Sequence, residues 1–133
     1  MVDVGHKAVS RREAWAVGKL VFSSEKFQQV LDYGSKKGDL YSMAEISGIN
    51  AAKNTSAMLP LCHNIPVECV RIQVTSGKDS FEVRSWVAGT AKTGFEMEAL
   101  SACSAACLAI YDMCKYIDPW MKITDLQVLD KTK

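Results

Sequence analysis

With 133 residues and 48% hydrophobic composition, the chain is sized for one compact domain, residues 1–133, built around a single core. Sixteen basic and fifteen acidic side chains leave a net charge of +1, which argues against a nucleic-acid binder or a polybasic membrane module and confines any anion site to a local cluster. No apolar run reaches the roughly 20 residues a bilayer requires, the N-terminus lacks a charged-then-apolar signal pattern, and five cysteines without a CxxC pair favour free thiols, so the expectation is a soluble, unexported protein of the cytosol or an organelle matrix, with the cytoplasm as the expected setting.

Residues 11–22, "RREAWAVGKLVF", carry apolar side chains on both parities and predict a strand buried partly on both faces, with a helix as the alternative. "SSEKFQQVLDYG" predicts a short amphipathic helix with Ser24 as N-cap, Phe27, Val30 and Leu31 on one face, and Gly34 as the stop. After the polar "SKKGDL", Asp39 predicts the cap of a second helix that runs toward Pro60, with a kink at Gly48. Alternation over 67–75 and 81–88 across "SGKD" predicts a hairpin. From Gly94 to Ile117 a broad face of small and apolar residues predicts the central buried helix, ended by Pro119, and "MKITDLQVLD" closes the chain as a last strand. With the first two helices counted as one layer, the fold class is α+β, a ferredoxin-like β-α-β-β-α-β sheet with helices packed on one face.

Four stretches carry candidate chemistry. His63 lies between Cys62 and Asn64 and is flanked by Pro60 and Pro66, so it is either a histidine held in fixed orientation for chemistry or a satisfied structural histidine in a turn. A zinc site is disfavoured, because no second pair of ligands at short spacing completes the set. Lys36, Lys37 and Gly38 just ahead of a helix start suit a phosphate, or form a solvated loop. Glu96 and Glu98 fall in the first turn of a long helix, where the dipole alone favours them. Asp112 and Lys115, three apart, are an acid/base couple or an ordinary surface pair. Cys103 and Cys107 in "SACSAAC" read as packing residues. Glu98 and Asp112 are fourteen residues apart on one helix, or about 21 Å at 1.5 Å per residue. For both to serve one small site, an antiparallel partner subunit must bring its Asp112 and Lys115 to this chain's Glu98.

"MVDVGHKAVSRREA", "KKGD", "INAAKNTSAMLPLCHNIP" and "KTGFEMEALSACSAACLAIYDMCK", followed by an apolar strand closing on Lys131, occur in that order over almost the whole chain. Together they closely resemble the cyclic pyranopterin monophosphate synthase family, the C proteins of molybdenum cofactor biosynthesis. The resemblance implies a homohexamer, a trimer of dimers with active sites at the dimer interface. It also implies a small-molecule substrate, the cyclised dihydro-GTP delivered by a radical SAM GTP cyclase, and its rearrangement to cyclic pyranopterin monophosphate with loss of diphosphate. No cofactor, metal, nucleic acid or membrane is implied. Matched position by position, the implied functional residues are Lys37, Asp112 and Lys115 as catalytic groups, with Arg12, His63, Glu96, Glu98 and Lys131 binding substrate. Arg12 and Lys131 are expected on the phosphates, His63 and Glu98 on the base and sugar, and clustering of Lys37, Lys115 and Lys131 is expected to lower a lysine pKa.

The sequence departs from the family pattern at Ala91, where glycine is usual, at Phe95, which replaces a smaller apolar residue, and in stopping two residues after Lys131 without the glycine-rich tail many members carry. The expectations are an altered loop at Ala91, since alanine does not freely adopt positive φ, and reduced affinity or turnover. The rival readings are a non-catalytic nucleotide-binding module of the same fold, which would bind without turnover, and a purely structural oligomer, in which alanine at the charged positions would alter stability alone.

Overall fold

The computed structural model describes residues 1–133, the side chain of Ser24 excepted. The elements are β1 (Ser10–Val21), α1 (Ser24–Tyr33), α2 (Leu40–Lys53), α3 (Thr55–Met58), β2 (Val67–Ser76), β3 (Ser80–Ala91), α4 (Glu96–Cys114) and β4 (Lys122–Thr132). One sheet orders the strands β2-β3-β1-β4, all neighbours antiparallel. Helix α4 lies across β1, β3 and β4, while α2 packs against α4 and β2. This is the ferredoxin-like α+β arrangement, with the helices on one face.

Period-two alternation puts Ala14, Ala16 and Leu20 of β1 and Phe81, Val83 and Val87 of β3 on the helix side, all essentially without exposed surface. The small face of α4, including Ala99, Ala102, Cys103, Ala106 and Cys107, meets them and is wholly buried, so the small-residue surface is used inside the subunit. Phe22, Phe27 and Phe81 close one end of the core with ring centroids 5.0–5.8 Å apart in tilted and edge-on pairs, each pair worth about 0.5–1.5 kcal/mol beyond its area. At the far edge of the core, β4 pairs with β1 through two register shifts. Asp125 sits beside the second at φ 56°, as in a bulge that re-aims a strand.

Several expected boundaries move. Helix α1 begins at Ser24 with Ser23 in the N-cap position; the expected cap role of the Ser24 side chain lies outside the described residues. Gly34 ends it as expected, at φ 68° with its N–H donating to the Val30 carbonyl at 2.8 Å. Helix α2 runs unbroken through Gly48 and stops at Lys53, short of Pro60, because the Thr55 hydroxyl lies 2.9 Å from the Ala51 carbonyl and 3.1 Å from that of Ala52, and so caps the helix end. Helix α4 starts at Glu96 rather than Gly94 and ends at Cys114 rather than Ile117. There the N–H groups of Ile117 and Asp118 both donate to the Cys114 carbonyl, at 2.9 and 3.1 Å, and turn the chain before Pro119 is reached.

At 19 residues and a mean hydropathy of 1.2, α4 is long and apolar enough by length and composition to cross a membrane, contrary to the expectation that no run is. Its 18-residue apolar window is 56% buried within the fold, as the central helix of a core must be.

Candidate active site

The sequence-matched residues gather at the two ends of α4. At its C-terminal end, the turn between α1 and α2 is tied down by Ser35, whose hydroxyl donates to the Met113 carbonyl at 2.9 Å and accepts from the Lys37 N–H at 3.1 Å. That anchoring brings the Lys37 Nζ to 2.6 Å from Asp112 Oδ2, while Lys115 Nζ lies 2.8 Å from Asp112 Oδ1. The hydrogen bonds from Lys115 and Lys37 hold the Asp112 carboxyl down at a pKa of about 2, and the same contact raises Lys115. Beside them Lys36 donates its backbone N–H to the Tyr116 hydroxyl at 3.3 Å and places its ammonium 5.2 Å from the ring centroid. Two expectations change here. The N–H groups of Tyr41 and Ser42 at the start of α2 are taken by the Asp39 carboxylate, at 3.4 and 3.2 Å, so that helix end does not offer them to a phosphate. Lys131 stands at the other end of α4, so the three lysines do not cluster within one chain, and Lys115 shifts up rather than down.

The second cluster surrounds the N-terminal end of α4. Register sets Arg12 opposite Gly89, Ser10 opposite Ala91 and Lys131 opposite Ala14, so Arg12, the end of β3 and Lys131 share one end of the sheet. Arg12 Nε donates to the Ala91 carbonyl at 3.2 Å, and Lys131 Nζ to Glu96 Oε1 at 2.8 Å. Partial burial would raise the Glu96 pKa, but the Lys131 hydrogen bond, the backbone N–H and the charges of Lys131 and Arg12 outweigh it, and the pKa is lowered. Glu98 is only 3% exposed. Burial, with the neighbouring Glu96 charge, raises its pKa against the pull of its backbone N–H and of the Cys62 thiol. Its Oε1 is 3.8 Å from Cys62 Sγ, and its Oε2 is buried without a partner among the described residues. His63 Nε2 lies 2.7 Å from the Val2 carbonyl, which assigns the proton to that nitrogen. A cleft of about 340 Å³ joins Cys62, His63, Gly94, Glu96 and Glu98.

Ala91 closes β3 in its ordinary strand pairing with Ser10, and among the described residues Asp125 is the non-glycine residue at positive φ, so the expected loop distortion does not occur. Phe95 fills the N-cap position of α4 with its ring fully buried. It lies over Gly89, where a Cβ would run into the Phe95 ring and the Pro66 carbonyl. The larger ring is therefore accommodated by close backbone approach and sets where α4 begins.

Sequence reasoning did not single out Ser35, Tyr116 or Lys92, whose ammonium donates to the Gly5 carbonyl at 2.9 Å, and it weighed Cys62 only as a metal ligand. The adjacency of Cys62 to His63 is the one signal that could have pointed to it. Cys103 and Cys107 are core residues as expected, and all five thiols are free.

The whole chain, residues 1–133, matches the MoaC family model. It is 42% identical over 132 residues to the cyclic pyranopterin monophosphate synthase of Peptoclostridium acidaminophilum, and 43% identical over 134 to that of Heliobacterium modesticaldum; each alignment covers 99% of this chain and 84% of the relative. The synthase of Chloroflexus aggregans is 42% identical over 133 residues, covering 98% of this chain and 81% of its own length. A match of this extent, over a fold that carries all eight motif residues to the two ends of one helix, has one reading: the chain belongs to the MoaC family.

Proposed function

We propose that the chain carries the activity for which its relatives are named. It converts (8S)-3′,8-cyclo-7,8-dihydroguanosine 5′-triphosphate to cyclic pyranopterin monophosphate and diphosphate, an early step of molybdenum cofactor biosynthesis. The observation that carries this reading is the division of the eight motif residues into two polar clusters, one at each end of α4, in a chain similar over its length to such synthases.

The reaction opens the five-membered ring of the purine, rebuilds it as a pterin, and closes a ribose hydroxyl onto the α-phosphorus as diphosphate leaves. Opening and rebuilding the ring need proton carriers, and the triphosphate needs cations. Lys37 and Lys115 carry the protons. Asp112, held ionised with a pKa of about 2, is a poor proton acceptor near neutrality, so its role is to hold both ammonium groups in place. Arg12 and Lys131 offset phosphate charge, with Glu96 fixing Lys131 through their 2.8 Å contact. His63 and Glu98 hold the base and sugar.

About 21 Å separates Glu98 from Asp112 along α4, so a working site takes one cluster from each of two antiparallel subunits, and three such dimers make a homohexamer. The open face of the sheet supports association. There the Trp15 and Trp86 rings pack in a tilted pair with centroids 6.5 Å apart, and the Arg71 guanidinium lies 4.7 Å from the Trp86 ring centroid. The substrate comes from a radical SAM GTP cyclase, and the setting is the cytoplasm.

The test is turnover of the enzymatically prepared cyclised dihydro-GTP, following diphosphate release and the fluorescent oxidised pterin. The expected result is product from the wild type and a loss of about a hundredfold or more in Lys37→Ala. A wild type that binds the substrate and releases neither product would overturn the reading in favour of a binding module.

A further inference from the structure

The Glu98 carboxyl combines two unusual features. It is 3% exposed, and its Oε2 has no hydrogen-bond partner among the described residues. A buried carboxyl left half-satisfied carries a desolvation cost that proteins rarely retain without use. Its Oε1 is met by the Cys62 thiol at 3.8 Å, a weak donor at a sulfur contact distance whose sulfur lies equally far, 3.8 Å, from the His63 carbonyl. The thiol and the carboxyl come from elements 36 residues apart and line the same cleft as His63.

We propose that Cys62 is a positioning residue for Glu98: its thiol holds Oε1 and so fixes the orientation of the carboxyl where Glu98 lines the cleft, with Oε2 buried behind it. The inference rests on the reading of Glu98 as a substrate-binding residue. A stronger donor in place of the thiol would stabilise the carboxylate and draw it away from the ligand. No donor at all would free the side chain to turn.

The charges around the pair fix the direction of the effect. From α4 itself Glu96 faces Glu98, and its charge raises the Glu98 pKa. Lys131 from β4 and Arg12 from β1 act on Glu96, and His63 lines the cleft with its Nε2 on Val2. The Cys62 hydrogen bond is one of two contacts that lower the Glu98 pKa, the other being its backbone N–H. Burial and the Glu98 charge raise the Cys62 thiol itself, so it acts as a proton donor and not as a thiolate nucleophile.

The experiment is an NMR titration of the isotope-labelled glutamate carboxyls in the free protein, with the Glu98 signal assigned by its loss in Glu98→Gln. Cys62→Ala is expected to move the Glu98 midpoint upward. Cys62→Ser, which keeps a proton donor, is expected to leave it at or below the wild-type value. Alanine and serine variants that share the wild-type midpoint would overturn the inference. With substrate, Cys62→Ala should lose about fivefold in kcat/KM and shift the pH limb set by Glu98, whereas a loss that leaves that limb unmoved would mean a merely structural thiol. The titration needs no substrate, so a moved midpoint in a protein without turnover would sustain the Cys62–Glu98 contact and sink the synthase reading alone.

Discussion

Asp112 serves two lysines at once, and its response to acid follows from that. Its carboxyl falls from the ordinary 3.8 to about 2, so the pairing is complete above about pH 4 and is lost as the pH drops toward 2 and the carboxylate takes a proton. All three side chains are about half exposed, and water screens the pairs strongly. Asp112→Asn should therefore lower the neutral-pH urea midpoint only slightly and remove an equally small part of the loss of stability between pH 4 and 2, as urea titrations at both ends of that range would record. Turnover should nonetheless fall by about a hundredfold, because Lys37 and Lys115 lose their common anchor. A variant with wild-type turnover would remove Asp112 from the site.

The elements reach the site through contacts that local sequence signals do not carry. Ser35 and Met113 are 78 residues apart, and the hydroxyl of the first on the carbonyl of the second seats the Lys37 turn on α4. Ser35→Ala should cost about 1 kcal/mol in unfolding while lowering turnover well beyond that, a disproportion that parallel urea and activity measurements would show. Phe95→Ala, by contrast, empties a fully buried position at the start of α4 and should cost about 3–5 kcal/mol, read as a lowered urea midpoint. What the sequence makes legible here is what is local. Alternation marks the hairpin, Asp39 accepts from the N–H groups of Tyr41 and Ser42, and Gly34 adopts the positive φ that a helix stop requires. The ends of α4 are not legible, because its apolar pattern runs on past both termini, and they are set by the buried Phe95 ring and the turn onto the Cys114 carbonyl. The resemblance brings out the eight candidate residues by type, but the pairing of Glu98 with Cys62 and of Glu96 with Lys131 is a matter of tertiary approach.

For the whole molecule, the proposed two-subunit site implies that one chain carries two half-sites. Helix α4 is a rigid spacer of about 21 Å between Glu98 and Asp112, and its small face is committed to its own sheet and to α2. The proposed association would therefore use other surfaces, among them the sheet face that carries Trp15, Arg71 and Trp86. In a two-fold dimer each site pairs the Glu98 end of one subunit with the Lys37 end of the other. A chain defective at one end can then be complemented by a chain defective at the opposite end.

The measurement that tests this most directly mixes two inactive variants, Lys37→Ala and Glu98→Gln, dissociates and reassembles them together, and follows pterin formation from the cyclised substrate. In a random mixture about half the dimers are mixed and each of those has one intact site of two, so activity should return to about a quarter of the wild-type value. A mixture as inactive as its components, with mixed assemblies verified by mass spectrometry, would place the two clusters in separate sites of a single chain and contradict the account.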